Sequence, residues 1–246
     1  MRKAAIVTGS TKGIGKAIAL ELLKKGYFVY INYCHDEEAA NVLKDYLNIR
    51  GFSKDYKIIK ADISNKNGIV KFIEKIDFKS YSLCSLILNA SSNGSVRNVF
   101  RKITEEEMLK MFWSNLFAPF FLVQSLADKI EEDGSIVFIS SHVGIYPHST
   151  YIPYGLTKAA EISLAKMLVK EFSERRITVN AIAPAFIETN MFPGGRTPEH
   201  LESIRKKIAV HRFGKVEEVA KAVIALVENK YINGSVLSID GGYDYK

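Results

Sequence analysis

The sequence predicts an α/β fold in one domain: a doubly wound, seven-stranded parallel sheet between two helical layers, three layers in αβα order. Two features predict it. Short apolar or β-branched runs alternate with longer amphipathic stretches along the whole chain, and a glycine-rich loop joins the first run to the first such stretch. Alternation of this kind builds parallel βαβ units. Their right-handed crossovers cover both faces of the sheet and leave a ligand crevice at the C-terminal ends of the strands.

The first strand is read at Lys3–Thr8 and the first helix at Ile14–Lys25, on either side of the glycine loop. Strands at Phe28–Asn32 and Lys57–Ala61 flank a helix at Glu37–Arg50, and a helix at Lys66–Lys75 leads to the strand Leu83–Asn89. One long helical pattern, Glu105–Glu131, precedes the strand Ser135–Ser140. The helix Tyr154–Glu174, the strand Thr178–Ile182, the helix Val216–Val227 and the strand Ser235–Ile239 complete the alternation. Phe186 to Arg212 breaks the rhythm with Pro193-Gly194-Gly195, Pro198 and a weak helical pattern from Glu199 to Ile208. A connection this long in a compact domain is more often functional than filler, so residues 186–212 are read as a substrate-covering flap. No repeat or linker divides the chain, and residues 1–246 are read as a single domain.

Composition narrows the class. Of 246 residues, 47% are hydrophobic and 25% charged, as in ordinary soluble globular domains. No apolar run approaches the roughly 20 residues that span a bilayer, so no membrane association is expected. The start, Met1-Arg2-Lys3-Ala4-Ala5-Ile6-Val7, runs into a strand and does not read as a signal peptide. Cys34 and Cys84 have neither metal-site nor redox spacing, so no metal is expected and a cytoplasmic setting fits best. The net charge of +7 allows an anionic partner. Its lysines are scattered along the helical stretches, so nucleic acid is not an expected partner.

Thr8-Gly9-Ser10-Thr11-Lys12-Gly13-Ile14-Gly15 follows the first strand and opens the first helix. Glycines let the backbone approach a pyrophosphate, and the N–H groups at a helix start face the anion. Residues Gly9, Ser10, Thr11, Lys12, Gly13, Ile14 and Gly15 are therefore read as the cradle of a dinucleotide. The second strand ends Ile31-Asn32-Tyr33-Cys34-His35. It lacks the acidic side chain that would accept from the 2′-OH of NAD and repel a 2′-phosphate. Lys12 supplies a cation near that phosphate, which favours NADP(H) over NAD(H), although Asp36 opposes it. Tyr33 and, after the third strand, Asp62 and Ile63 fall at the same end. Asp62 reads equally as an acceptor for the adenine amino group and as a turn or N-cap aspartate. Asn89-Ala90-Ser91 closes the fourth strand, where the strand order would reverse, and a polar side chain there could tie two strands together.

Tyr154 and Lys158 stand four residues apart, on one face of a helix, thirteen residues after Ser141. Alone, such a pair is an ordinary surface feature. Beside a cofactor it has a chemical use. A phenol, with its ordinary pKa of about 10, becomes able to exchange a proton with a substrate oxygen when a fixed cation lies close by.

Together these motifs resemble the classical short-chain dehydrogenase/reductase family over essentially the whole chain, and within it the 3-oxoacyl-[acyl-carrier-protein] reductase branch. The Thr8–Gly15 loop, Asp62, Asn89-Ala90, Asn115, Ser141, Tyr154, Lys158, Val179-Asn180-Ala181, Pro184, Thr189 and Asp240-Gly241-Gly242 fall in that family's order and spacing. The resemblance implies a Rossmann-type sheet and NADPH-dependent reduction of a ketone. The ketone would be a 3-oxoacyl thioester on acyl carrier protein, in fatty acid biosynthesis. Tyr154 would be the general acid, Ser141 would steady the substrate oxygen, and Lys158 would lower the tyrosine pKa and hold the nicotinamide ribose. Asn115 would interrupt its helix and hold a water feeding a relay to Lys158. Past Pro184, Ile187 and Thr189 would bond the cofactor's carboxamide and phosphates. A homotetramer or homodimer is implied, through the two long helices and the last strand, with Leu164, Met167 and Leu168 either on that face or in the core. Ile145, Tyr146, Tyr151, Phe186 and Phe192 would line an acyl or ring pocket, with core packing as the competing place for Phe186.

Three departures from the family pattern stand out. Ser91 replaces a glycine after the fourth strand. Ala185 replaces the glycine after Pro184, and alanine does not take positive φ readily, so the loop over the nicotinamide is expected to be reshaped. Glu131-Glu132-Asp133 is an acidic run where carrier-protein reductases tend to be basic, with Arg175 and Arg176 expected to restore part of a docking surface. Two other readings stay open: a reductase or dehydrogenase of a free alcohol, sugar or polyketide-like ketone, and a cofactor-bound regulatory protein without turnover.

Overall fold

The computed structural model describes residues 1–92, 100–189 and 197–243. It runs β1 (Arg2–Val7), α1 (Gly13–Lys24), β2 (Phe28–Tyr33), α2 (Glu37–Ile49), β3 (Tyr56–Lys60), α3 (Lys66–Ile73) and β4 (Tyr81–Leu88). Then come α4 (Glu105–Phe112), α5 (Ala118–Leu126), β5 (Ile130–Ile139), α6 (Ile152–Glu171) and β6 (Thr178–Pro184). The chain closes with β7 (Ile187–Glu188), α7 (Pro198–Lys207), β8 (Gly214–Lys215), α8 (Val216–Glu228) and β9 (Val236–Ile239). The main sheet has seven strands in the order β3-β2-β1-β4-β5-β6-β9, all parallel. This is the doubly wound sheet that the alternation predicts. Its order reverses between β1 and β4.

Strand periodicity separates two cores. In β1, Ala4 and Ile6 face one cluster, which contains Leu122 and Leu126 of α5 and Ala165 of α6. Ala5 and Val7 face the other, which contains Ile18 and Leu22 of α1 and Val223 of α8. Successive side chains of a strand point to opposite faces, so a strand covered on both must be apolar throughout. β6 is buried at every residue and is apolar except at Thr178 and Asn180. Its one amide, Asn180, donates to the Ile232 carbonyl at 2.8 Å and accepts from the Ser235 N–H at 2.9 Å, which guides the chain into β9.

The long helix expected over Glu105–Glu131 is not continuous. It is broken by a π turn at Trp113–Phe117 and ends at Leu126, because β5 already starts at Ile130. Pro119 has no N–H to give the Asn115 carbonyl four residues earlier, which disfavours regular α-helix there. Ile130 pairs with Leu83, and the register then jumps so that Ser135 pairs with Ser85. The acidic run therefore bulges from the strand, with Asp133 at φ 57°.

The segment read as a flap carries a two-stranded parallel ladder, Ile187 with Gly214 and Glu188 with Lys215. Its weak helical pattern is α7, capped by the Thr197 hydroxyl. Ile204, Ile208 and Phe213 form a small third core. Pro193-Gly194-Gly195 and Phe192 lie outside the described residues. Among the described residues no helix is long and apolar enough to cross a membrane.

Phe138 of β5 is fully buried in the first core. Phe138→Ala should cost about 3–5 kcal/mol, read as a lower midpoint of urea unfolding; an unchanged midpoint would contradict this packing.

Candidate active site

A cleft of about 810 Å³ opens at the C-terminal ends of β1, β2, β4, β5 and β6. The glycine loop forms one wall, with Gly9, Thr11, Lys12, Gly13, Ile14 and Gly15 on the cleft. Two of its glycines are required by geometry. Gly9 has φ +59°, and a Cβ there would sit 2.9 Å from Ala90 Cα. A Cβ on Gly15 would sit 2.5 Å from both the Asn89 amide nitrogen and the Gly9 carbonyl. Ser10 departs from its expected place: it does not line the cleft, since its buried hydroxyl turns back to donate to the Val7 carbonyl at 2.6 Å. That bond closes the end of β1.

The loop is braced from two sides. Asn32 is buried, accepts from the Gly9 N–H at 3.3 Å and donates to the Ala61 carbonyl at 3.0 Å. It thus ties β2 to the loop and to the end of β3, a role the sequence reading did not assign. At the point of reversal, the Thr8 hydroxyl accepts from the N–H groups of Asn89 and Ala90, each at 2.9 Å. The Asn89 amide donates to the carbonyls of Thr8 and Gly9, also at 2.9 Å. Asn89 therefore joins the two strands, as a polar side chain there was expected to do.

Tyr33, Asp62 and Ile63 line the far end of the cleft. The Asp62 carboxylate accepts from the Ser64 hydroxyl at 2.6 Å and the Ser64 N–H at 3.0 Å. These bonds, the hydroxyl's first, hold its carboxyl below the ordinary value. It is thus a turn aspartate on the cleft wall. Lys12 reaches Asp36 at 2.8 Å, and Asp36 also caps α2 through the Ala39 N–H. The cation is present but already paired on the surface.

Ser141 and Tyr154 line the inner end, and Lys158 lies beneath them, 1% exposed. The Lys158 ammonium is 5.6 Å from the centre of the Tyr154 ring. It donates to the Ile139 carbonyl at 3.0 Å and to both carboxylate oxygens of Glu161, at 2.9 and 3.0 Å. Burial pushes the Glu161 carboxyl up to about 7, although Lys158 pulls the other way. Ser140, next to Ser141, donates to the Lys158 carbonyl at 2.8 Å and anchors α6 to the end of β5.

Asn115 is fully buried and does not line the cleft. Its side chain accepts from the Ser92 N–H at 2.8 Å and donates to the Ser92 carbonyl at 2.7 Å and the Thr157 hydroxyl at 3.2 Å. At the end of β6 and beyond it, Pro184, Ala185, Ile187 and Thr189 line the cleft. Ala185 is absent from the residues with positive φ, so this loop passes without a glycine-like turn. Ser91 also faces the cleft. Of the expected pocket residues, Ile145, Tyr146, Tyr151 and Phe186 fall outside it. Phe186 packs edge-on against Tyr243 in the flap's own core. Tyr146 lies against His142 with ring centres 4.7 Å apart, and Tyr151 against His148 at 5.5 Å. Among the described residues no group of three His, Cys, Asp or Glu side chains could hold a metal ion.

A family model described as enoyl-(acyl carrier protein) reductase matches residues 9–244. The chain belongs to the short-chain dehydrogenase/reductase family. The 3-oxoacyl-[acyl-carrier-protein] reductase FabG of Staphylococcus aureus is 31% identical over 246 residues, 98% of each chain. A short-chain dehydrogenase of Burkholderia cenocepacia, solved in complex with NADP, is 29% identical, with a TM-score of 0.86 over 98% of this chain and 97% of its own. The promiscuous reductase LugOII, which catalyses keto-reduction at C1 in lugdunomycin biosynthesis, is 26% identical, with a TM-score of 0.90 and the same coverage. As a short-chain dehydrogenase/reductase the protein is an oxidoreductase.

Removing the Thr8 hydroxyl tests the brace at the reversal. Thr8→Val keeps the shape but orphans two backbone N–H groups, and should cost about 1–3 kcal/mol, read by urea unfolding. If stability is unchanged, the hydroxyl does not hold the two strand ends together.

Proposed function

We propose that the protein reduces a ketone with NADPH, and that the ketone is a 3-oxoacyl thioester carried on acyl carrier protein. One observation supports the chemistry above others: Ser141, Tyr154 and Lys158 line the same cleft as the glycine loop. The cradle fits a dinucleotide. Gly9 and Gly15 leave open the space that side chains would fill, and the N terminus of α1 faces it. Lys12 sits on the rim for a 2′-phosphate. Its pairing with Asp36 is half exposed and therefore weak, so a dianionic phosphate can take the lysine over.

Bound NADPH supplies a hydride to the carbonyl carbon. Tyr154 delivers its proton to the carbonyl oxygen, and the Ser141 hydroxyl donates a hydrogen bond to that oxygen and fixes its direction. Lys158 would hold the nicotinamide ribose, and it places positive charge beside the Tyr154 ring. Asn115 holds the loop after β4 against α6 through Ser92 and Thr157, and its backbone carbonyl is the group left to orient a water toward Lys158.

The FabG relative supports the carrier-bound substrate. The expected basic docking surface is not free, however. Arg176 is paired with Glu132 at 2.8 Å and Asp133 at 2.9 Å, and Arg175 donates to the carbonyls of Ala127 and Ile130. That observation favours the second reading, a free or polyketide-like ketone of the kind reduced by LugOII. Exposed Leu156 and Met167 on α6 and Phe120 on α5 fit a helix face shared between copies in a tetramer or dimer, which light scattering checks.

Acetoacetyl carrier protein, free ketones and a 2-enoyl thioester should be compared at equal concentration, with NADPH oxidation as the readout. A preference for free ketones would replace the carrier reading, and turnover of the enoyl thioester alone would replace ketone reduction. Tyr154→Phe should lower kcat by about 10²–10⁴-fold; near wild-type turnover would show that another group is the acid. Lys12→Ala should weaken NADPH roughly tenfold or more, the loss of one charge-assisted contact, while NADH binding stays unchanged. Equal losses for both nucleotides would remove the 2′-phosphate from Lys12.

A further inference from the structure

We propose that Glu161 is a positioning residue: its carboxylate withholds Lys158 from the nicotinamide ribose and from Tyr154, and protonation of that carboxylate releases the lysine. The inference rests on the cleft being the nicotinamide site. An ammonium has three N–H donors. Here all three are committed, one to the Ile139 carbonyl and two to the Glu161 carboxylate, at 2.9–3.0 Å. Both partners are out of water, with side chains 1% and 4% exposed. For Lys158 to bond a ribose hydroxyl, it must surrender one of these acceptors.

The contest is unequal while Glu161 is ionised. A charge-assisted bond in a dry site is roughly twice as strong as one to a neutral hydroxyl. Once protonated, the same carboxyl offers only a neutral acceptor, and the ribose competes on level terms. Burial raises the carboxyl to about 7 from its ordinary 4.5, so the change falls near neutrality. The sign follows directly. Below about 7 Glu161 is protonated and Lys158 is released; above it Glu161 is ionised and Lys158 is held.

The charged group acting on the carboxyl is Lys158. Tyr154 stands one turn earlier on α6, and His142 lies on the preceding turn, which packs against the Lys158 backbone at Gly144. The π turn and β6 carry no titratable side chain, the acidic residues of β5 lie exposed at its opposite end, and α4 brings Lys110 to the cleft. A pair that merely fastened α6 to β5 would affect stability and leave nucleotide affinity indifferent to pH.

The test titrates NADPH into the wild type and into Glu161→Gln, by nucleotide fluorescence, at roughly pH 6 and roughly pH 8.5, either side of the carboxyl's own value. At the higher pH the glutamine variant should bind about tenfold tighter than wild type, and at the lower pH the two should agree within about twofold. Titration of the 2′-phosphate is common to both proteins and cancels in the ratio. A ratio that does not change with pH overturns the proposal. If the variant does not fold, the wild type carries the test with NADH, whose affinity should rise as pH falls through about 7; pH-independent affinity overturns it. A pH-dependent ratio with no turnover of any ketone would sink the ketone reading and leave Glu161 its role. A wild type that binds neither nucleotide overturns both.

Discussion

The cleft exists because the sheet order reverses between β1 and β4, and that reversal leaves backbone groups at two strand ends without a neighbouring strand. Buried N–H and carbonyl groups do not stay unpaired. Here a single threonine hydroxyl and a single asparagine amide take them up: Thr8 receives two N–H groups from the end of β4, and Asn89 returns two bonds to the end of β1. Everything placed above this tie inherits its position. Gly15 has no room for a side chain because the Asn89 amide occupies that space, and Gly9 turns where it does because Ala90 lies against it. The glycine spacing is thus a consequence of the brace as much as of any ligand.

What the sequence makes legible divides along the same line. Alternating short and long apolar patterns are a local signal, and they place six of the seven strands of the main sheet within two residues at either end. The break in the Glu105–Glu131 pattern is not legible from periodicity, because the apolar face continues through the π turn. Pro119 and the buried Asn115 are the only marks of it, and each reads as tolerable in isolation. The early start of β5 is hidden for a related reason: its acidic run looks like the end of a helix, whereas Ile130 alone reaches back to pair with Leu83. Glu161 was equally invisible. A lysine and a glutamate three apart on a helix read as a surface pair, and only the packing of α6 against β5 reveals that both are dry.

The charges fall into two kinds. Lys12 with Asp36, and Arg176 with Glu132 and Asp133, are exposed and held loosely, so an anionic ligand can redirect them at little cost. Lys158 and Glu161 are different. Removing one partner of a buried pair costs about 3–5 kcal/mol, because it strands the other charge. The outer end of the cleft is therefore adaptable and the inner end is stiff.

The stiffness extends from Lys158 back through the helix defect. Thr157, between Tyr154 and Lys158 in sequence, is fully buried; its hydroxyl donates to the Tyr154 carbonyl at 2.8 Å and accepts from the Asn115 amide at 3.2 Å. Asn115 can make that bond while holding Ser92 only because the π turn widens the chain at its position. A regular helix would rotate the amide away from one of the two, since each residue advances the face by a fixed angle. The irregularity that periodicity could not foresee is thus what registers the loop after β4 against the helix bearing Tyr154 and Lys158. Pro119, four residues on, has no N–H to bond the Asn115 carbonyl in an α-helical pattern, which is why the chain widens there.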